Sequence, residues 1–304
     1  MIIVRTPLRL PIAGGGTDIP VWYEKHGGMF ISAAIDKYIY ITYHRSKFDD
    51  RIRLRYSKME EVSELDDVQH DIIKATLYTS RVKNRVELTS HAEIPSGTGL
   101  GSSGSFGVAI LQAICPNRSK LFYAVESSRI QMKILKHPIG LQDQYVAAFG
   151  GINVYEIQKN SDVNITPISV QGLEDKLALF FTGFKRDAKE ILSKFTVDGM
   201  DRIQELAWKV KNYLETGELD KYGKLLNEHW ELKKKQPGMT NPKIDTWYEM
   251  GLKNGALGGK LVGAGGGGFL LFYTNDRKKL IESMPLLHVP FSWDFEGTKV
   301  ILDD

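Results

Sequence analysis

The sequence of 304 residues contains one cysteine, Cys115, and no long apolar run. A single cysteine excludes an internal disulfide and a zinc site made of several thiolates. Because no stretch of about 18 apolar residues occurs, we expect no membrane-spanning helix. The first residues, MIIVRTPLRLPIAG, lack the apolar core of a signal peptide. Together these absences favour a cytoplasmic protein.

An excess of charge of one sign is also missing. The chain has 40 Lys and Arg residues against 37 Asp and Glu residues, which gives a net charge of +3. Proteins that bind nucleic acid usually concentrate basic residues on one face. The nearest basic run, Lys233–Lys235, is interpreted as a solvated helix end. We therefore expect neither nucleic acid nor a membrane as a partner, while a homodimer is left open.

Glycine, by contrast, is abundant, with 29 residues. The spacing has no Gly-X-Y period, which excludes a collagen-like chain. Fifteen of the glycines fall in three short windows, Gly14–Gly16, Gly97–Gly107 and Gly258–Gly268. Glycines cluster in this way where a backbone turns tightly or approaches a ligand closely.

The middle window contains the segment PSGTGLGSS, residues 95–103, between a predicted strand at Val86–Ala92 and an apolar helix. Successive N–H groups at the start of a helix form a site for an anion such as phosphate, and the helix dipole favours negative charge there. The segment lacks the Gly-Lys-Ser/Thr ending of a P-loop and the spacing of a dinucleotide fingerprint. The alternative is a glycine-rich turn that only begins a helix.

The rest of the chain predicts strands and helices without an internal repeat. Phe30–Ile35 and Tyr38–Tyr43 predict a hairpin that turns at Asp36-Lys37, and Val289–Phe295 predicts a closing edge strand. Further strands are predicted at residues 2–4, 8–12, 177–181 and 269–273, and helices at residues 71–80, 120–135, 201–215, 221–234 and 242–254.

Three motifs together resemble those of the GHMP kinases, the family of galactokinase, homoserine kinase, mevalonate kinase and phosphomevalonate kinase. They are RTPLRLPIAGGGTD at residues 5–18, PSGTGLGSS at 95–103 and KLVGAGGGGF at 260–269. Their order and spacing match over nearly the whole chain. Within the family, the D-glycero-D-manno-heptose 7-phosphate kinases are the most similar subgroup. The segments that point to them are RTPLR with AGGGTD, IDKY at 35–38, IRLRYS at 52–57, QDQY at 142–145 and FTGFKR at 181–186.

The resemblance implies an α+β fold with two domains. Residues 1–165 would form an N-terminal ATP-binding domain similar to domain 2 of ribosomal protein S5, and residues 166–304 a ferredoxin-like C-terminal domain. The implied activity is ATP-dependent transfer of a phosphoryl group to a hydroxyl of a sugar or sugar phosphate, with the anomeric hydroxyl of a heptose 7-phosphate-like acceptor favoured. ATP and Mg²⁺ are the implied cofactors.

Two alternatives stay open at this point. One is a kinase of the mevalonate pathway that acts on mevalonate or phosphomevalonate. The other is a non-catalytic sensor that binds a sugar and ATP. The presence of a complete catalytic set argues against the sensor.

The motifs also imply roles for particular side chains. Asp143 matches the catalytic aspartate that accepts the proton of the sugar hydroxyl; its alternative is an aspartate that only stabilises a helix N-terminus. Arg9 would offset charge on the transferred phosphoryl group, with Arg5 as the alternative. Glu126 and Ser103 would bind Mg²⁺ through oxygen, with Ser102 as the alternative to Ser103.

The remaining implied site residues bind either ATP or the acceptor. The expected ATP-binding residues are Pro95, Ser96, Gly97, Thr98, Gly99, Leu100, Gly101, Ser102 and Ser103. The expected substrate-binding residues are Gly15, Gly16, Thr17, Asp18, Thr182, Gly183, Arg186, Gly265 and Gly266. Of these, Arg186 would bind a phosphate already present on the acceptor, because guanidinium geometry suits phosphate.

Overall fold

A computed structural model describes residues 1–185 and 196–304. These residues form twelve strands and ten α-helices. The strands are β1 Ile2–Ala13, β2 Gly28–Arg45, β3 Ile52–Arg55, β4 Met59–Val62, β5 Val86–Ala92, β6 Ile152–Ile157, β7 Val163–Pro167, β8 Leu177–Phe181, β9 Ala256–Leu261, β10 Phe269–Thr274, β11 Leu287–His288 and β12 Lys299–Asp303. The helices are α1 Pro20–His26, α2 Asp71–Thr79, α3 Ser102–Ile114, α4 Lys120–Arg129, α5 Gln142–Phe149, α6 Leu173–Lys176, α7 Met200–Glu215, α8 Leu219–Lys233, α9 Pro242–Lys253 and α10 Arg277–Ser283.

The larger sheet has eight strands and forks at β2. Its main path runs β12-β1-β2-β5-β3-β4, and β6 and β7 branch from β2. The first part of β2 pairs with β6, while the second part pairs with β5. All pairs are antiparallel except β3 with β5. Helices α3 and α5 pack on β1 and β2, and this contact brings the start of α3 close to the start of α5.

The hairpin predicted at residues 30–43 is wrong. Residues 28–45 form one continuous strand, because β1 runs antiparallel beside residues 31–43, across the predicted turn. The pairs Leu8–Ile35 and Pro7–Tyr38 are consecutive on β1, so Asp36 and Lys37 form a bulge in β2 instead of a turn. For the same reason the predicted strands at 2–4 and 8–12 merge into β1.

The smaller sheet has the order β11-β8-β10-β9, and its strands are all antiparallel. The predicted strands at 177–181 and 269–273 are confirmed as β8 and β10, both of which are buried along most of their length. The closing strand predicted at 289–295 is wrong. That segment makes one isolated bridge, between Ile35 and Trp293, and the last strand is β12, which pairs with β1.

The predicted helices are present with small shifts of their ends. The helix predicted at 120–135 is α-helical only to Arg129, and Ile130–Ile134 is π-helical. The boundary between domains at residue 165 stays a prediction; the smaller sheet begins at β8, and β12 returns to the larger sheet. Within the described residues, no helix is both long and apolar enough to cross a bilayer.

Candidate active site

The glycine loop, residues 95–103, connects β5 to α3 and is shaped by left-handed backbone. Gly97, Gly99 and Gly101 have φ of 75°, 83° and 80°, values that residues other than glycine rarely adopt. A Cβ at Gly99 would lie 2.4 Å from the carbonyl oxygen of Val262. The loop therefore packs backbone to backbone against the third glycine window, which is possible only without side chains.

Asp143 and Arg9 form the central pair of the site. Arg9 donates from Nε to Asp143 Oδ1 at 2.8 Å, and its Nη2 lies 2.7 Å from the same oxygen. Its Nη1 donates to the carbonyl of Gly99, which ties the pair to the glycine loop. Asp143 Oδ2 accepts no hydrogen bond from the described residues, and the Asp143 side chain is about one-third exposed. A carboxylate oxygen thus faces the cavity beside a fixed guanidinium.

Small residues allow this approach. Asp143 lies in the first turn of α5, and Arg9 is near the middle of β1. A Cβ at Gly104, in α3, would lie 2.4 Å from Cβ of Asp143. A Cβ at Gly101 would lie 3.0 Å from Cγ of Arg9 and 3.2 Å from Cγ of Asp143. The glycines of the middle window therefore make room for the pair as well as shaping the loop.

Asp18 is buried where the first glycine window meets the start of α5. Its Oδ1 accepts from the backbone N–H of Gly16 at 3.0 Å, and its Oδ2 accepts from that of Gln142 at 3.0 Å. Burial raises the pKa of this carboxyl, and the nearby charge of Asp143 adds to the rise. Gly140 is required here, because a Cβ would lie 1.9 Å from Asp18 Oδ2. Asp18 thus holds the 14–18 turn against the segment that carries Asp143.

A cavity of about 840 Å³ is bordered by all of these elements. Next to the glycine loop it is lined by aromatic and apolar side chains that include Tyr56, His70 and Phe106. His70 packs edge-on against Tyr56 and tilted against Phe106. His137 Nε2 lies 2.9 Å from Asp71 Oδ2 at the same end. This end offers flat apolar surface suited to a planar ring, close to a loop suited to phosphate.

The cavity lining also includes a basic cluster that the sequence analysis missed. His229 and Lys233 project from α8, and Lys260 from β9. Lys233 is partly buried, so the interpretation of Lys233–Lys235 as a solvated helix end is wrong for its first residue. The sequence did contain a signal for this cluster, because His229 and Lys233 are four residues apart, a spacing that places them on one helix face.

Twelve of the predicted residues line the cavity. One of them, Gly265, is held by Met239, whose sulfur a Cβ would meet at 2.0 Å. The twelve are Arg9, Gly15, Gly16, Asp18, Ser96, Gly97, Gly99, Gly101, Ser102, Ser103, Asp143 and Gly265.

Several predicted residues support the site from behind. Thr17 Oγ1 donates to the carbonyls of Gly14 and Met29 and is fully buried. Thr182 Oγ1 donates to the carbonyl of Gly268. These hydroxyls hold glycine windows in place and do not line the cavity. The other predicted residues outside the lining are Pro95, Thr98, Leu100, Gly183 and Gly266.

The structure separates two of the predicted charged residues, Arg5 and Glu126, from the cavity. Arg5 pairs with Glu296 at 2.5 Å and stacks on Tyr38, away from the cavity, so Arg9 is the arginine beside Asp143. Glu126 accepts from Arg129 through both carboxylate oxygens at 2.7 Å and does not line the cavity, so it is not brought to Ser103. Arg186 lies outside the described residues.

Comparison with known proteins places this arrangement in a family. Residues 70–151 match the family model for the GHMP kinases N terminal domain, and residues 210–286 match the model for GHMP kinases C terminal. The chain belongs to the GHMP kinases, and the predicted α+β fold is confirmed. It is an ATP-dependent phosphotransferase with an alcohol group as acceptor, related to the sugar kinases.

Individual relatives show which members of the family the chain is similar to. The chain is 30% identical to a D-glycero-alpha-D-manno-heptose 7-phosphate kinase of Campylobacter jejuni, over 91% of each protein. It is 27% identical to an L-fucokinase/L-fucose-1-P guanylyltransferase of Bacteroides fragilis, over 92% of this chain and 36% of that protein. A crystal structure of a D-glycero-D-manno-heptose 1-phosphate kinase from Bacteroides thetaiotaomicron shares the fold, with a TM-score of 0.82 over the full length of both chains at 24% identity.

Proposed function

We propose that this kinase transfers the γ-phosphate of ATP to the anomeric hydroxyl of a sugar phosphate of the heptose 7-phosphate type. The observation that carries the proposal is the Asp143–Arg9 pair, which lies where the glycine loop meets the 14–18 turn. The name of the Campylobacter relative supports the choice of acceptor.

In this proposal Asp143 is the catalytic base. Its Oδ1 is engaged by Arg9, so Oδ2 is the oxygen left to accept the hydroxyl proton as the oxygen attacks phosphorus. Arg9 orients the carboxylate and offsets negative charge on the transferred group, as positioned cations do in phosphoryl transfer. Because Arg9 also donates to the carbonyl of Gly99, it holds the base in a fixed position relative to the nucleotide loop.

ATP would bind along the glycine loop. The N–H groups of residues 97–103 and the N-terminus of α3 suit its phosphates. The cleft around Tyr56, His70 and Phe106 suits the adenine ring, which stacks well on aromatic surfaces. These two regions are adjacent in one cavity, as a single nucleotide requires.

Mg²⁺ fits the same end of the cavity, where Ser103 supplies an oxygen. Ser103 Oγ donates to Oε1 of Gln131 at 3.4 Å, so two uncharged oxygens meet at the start of α3. Mg²⁺ usually keeps waters and takes few protein ligands beside phosphate oxygens. When bound, the ion would neutralise charge on the phosphates; Glu126 stays a predicted ligand and is paired with Arg129 in this structure.

The test is an assay that identifies the product. The purified protein is given ATP, Mg²⁺ and, in separate reactions, D-glycero-D-manno-heptose 7-phosphate, the unphosphorylated heptose, mevalonate and phosphomevalonate. We expect ADP release and a new ³¹P signal coupled to the anomeric proton with the heptose 7-phosphate. Turnover of a mevalonate compound alone, or ATP binding without ADP release on any acceptor, would contradict the proposal.

A further inference from the structure

We infer that His229, Lys233 and Lys260 form a subsite for a phosphate group that the acceptor already carries. The inference rests on the proposed function, because it names the part of the substrate that this part of the cavity holds. We call these three residues the lysine cluster.

The lysine cluster is assembled by packing and is largely buried. Lys260 is 1% exposed and His229 is 7% exposed, yet both border the cavity together with Lys233. Lys260 lies in β9, which packs against α8, so the three side chains meet between a strand and a helix. Burying two lysines in a protein interior costs free energy unless a partner of opposite charge compensates.

Among the described residues, no carboxylate provides that compensation. Lys260 Nζ donates to the carbonyl of Ile12 at 2.9 Å, and Lys233 Nζ donates to the carbonyls of Leu261, at 3.0 Å, and Gly263. Within residues 1–185 and 196–304, neither lysine forms an ion pair with an acidic side chain. Carbonyl oxygens orient an ammonium group but do not neutralise it, so the described residues supply the cluster with no counter-charge.

His229 adds a buried donor or acceptor without a partner. Its Nε2 is shielded from solvent and makes no hydrogen bond with the described part of the chain. An unpaired buried polar atom is costly and calls for a ligand or water at that place. Together with the remaining N–H donors of the two lysines, it gives this part of the cavity lining several polar groups that suit a phosphate dianion.

The lysine cluster also has the electrostatic character of an anion site. Burial, together with the charge of Arg9, lowers the pKa of Lys233 to about 7. Burial and the neighbouring charges of Lys233 and Arg9 lower the pKa of Lys260 well below its usual value. A bound dianion would reverse both effects, because it favours the protonated lysines.

The position of Lys260 favours the acceptor over the nucleotide. Along β1, Arg9 is hydrogen-bonded to the glycine loop through Leu100, whereas Lys260 binds Ile12, three residues further on. Three residues of a strand span roughly 10 Å. Ile12 is followed directly by the 14–18 turn that contains Asp18. The cluster therefore reaches from the 14–18 turn, near Lys260, to Gly263, which binds Lys233 and packs against Gly99 of the glycine loop.

The alternative source of a phosphate is the γ-group of ATP, and kinetics separate the two. Lys233→Gln is measured with ATP and with heptose that carries or lacks the 7-phosphate. The matched control is Lys234→Gln, since Lys234 directly follows Lys233 but pairs with Glu231 at 2.8 Å and does not line the cavity. We expect Lys233→Gln to raise the KM for the heptose 7-phosphate by roughly 10–100-fold, with the KM for ATP and for the unphosphorylated heptose unchanged.

Two results would overturn the inference. If Lys233→Gln lowers kcat equally with both acceptors or raises the KM for ATP, the lysine serves the transferred phosphate. If it changes nothing relative to Lys234→Gln, the cluster holds no phosphate. Lys260→Met is a second variant for comparison, but its burial makes Lys233→Gln the safer change because Lys233 is partly exposed.

A binding measurement keeps this inference separate from the proposed function. Inorganic phosphate is titrated by calorimetry into wild-type protein and Lys233→Gln, without ATP. We expect binding to the wild type and roughly tenfold or greater weakening in the variant. If no acceptor in the panel is turned over but phosphate binds in this way, only the proposed reaction fails. If heptose 7-phosphate is turned over but phosphate binding is absent or insensitive to Lys233, only the lysine cluster is misassigned.

Discussion

The two sides of the cavity hold charge in different ways. On the loop side, Arg9 and Asp143 neutralise each other at 2.7–2.8 Å and are fixed to the backbone of Gly99. On the lysine side, Lys233 and Lys260 are held by carbonyls, form no ion pair within the described residues, and have lowered pKa values. The Asp143–Arg9 pair is already neutralised without a ligand, and its role is to hold the two groups in place. The lysine cluster, by contrast, would gain its counter-charge from the ligand.

The largest effect is expected on the loop side, from removal of the base. Asp143→Asn keeps the shape of the side chain but cannot accept the hydroxyl proton, so we expect kcat to fall roughly 10²–10⁴-fold. The KM for the phosphorylated acceptor should change little, since its phosphate is bound on the lysine side. Steady-state kinetics with both substrates measure this. Nearly full turnover in Asp143→Asn would refute the role of base.

A smaller effect is expected where the two sides touch, at Gly99. Gly99→Ala introduces a left-handed alanine and a Cβ 2.4 Å from the carbonyl oxygen of Val262. The control is Gly172→Ala, with φ of 73° but no atom within 4 Å of the new Cβ. We expect the control to lose about 1–2 kcal/mol of unfolding free energy from the backbone alone.

For Gly99→Ala we expect a further loss of about 1–3 kcal/mol from overpacking, together with reduced turnover. Chemical denaturation of the two variants measures the difference. Equal losses of unfolding free energy in the two variants would mean that the contact between the glycine windows adjusts to the added Cβ. That contact would then not hold the two sides of the cavity in fixed positions.

The smallest effect is expected from pH, and it acts on the lysine side only. Because the pKa of Lys233 is about 7 in the free protein, its charge is lost as pH rises through about 7. Phosphate monoesters are mostly dianionic above about pH 6. The groups facing Lys233 are Arg9, Lys260 and His229, and burial also lowers the pKa of His229.

We therefore expect the KM for the phosphorylated acceptor to rise several-fold between about pH 6.5 and 8.5, since deprotonated Lys233 binds phosphate less well. Lys233→Gln should flatten this profile, and the unphosphorylated heptose should show no such rise. A KM that falls with increasing pH in the wild type would mean that another group controls binding.

The loop side could be predicted from the sequence because its chemistry is local. The motif around Gly97–Ser103 combines positive φ with a helix start, and both follow from residue types that are adjacent in the chain. Arg9 and Asp143 are 134 residues apart, so their pairing came from family resemblance and not from any local pattern. The choice between Arg5 and Arg9 needed the fold, which directs Arg5 to Glu296.

The lysine side could not be predicted in the same way. Lys233 is followed by Lys234 and Lys235, and a run of three lysines ordinarily indicates solvent. Only the packing of α8 on β9 separates Lys233 from its neighbours. The errors in the strands have a similar cause. Asp36-Lys37 has the composition of a turn, but register with β1 converts it into a bulge, and register depends on a partner strand.

The pairing of β12 with β1 has a consequence for how the protein is made. Residue Ile2 pairs with Asp303, so this contact closes a loop of about 300 residues. Until residues 299–303 are synthesised, the edge of β1 at Ile2–Arg5 has open N–H and C=O groups, which are a template for association with other chains. The strand that carries Arg9 therefore passes through biosynthesis with its first residues unprotected, at a stage when open strand edges favour aggregation.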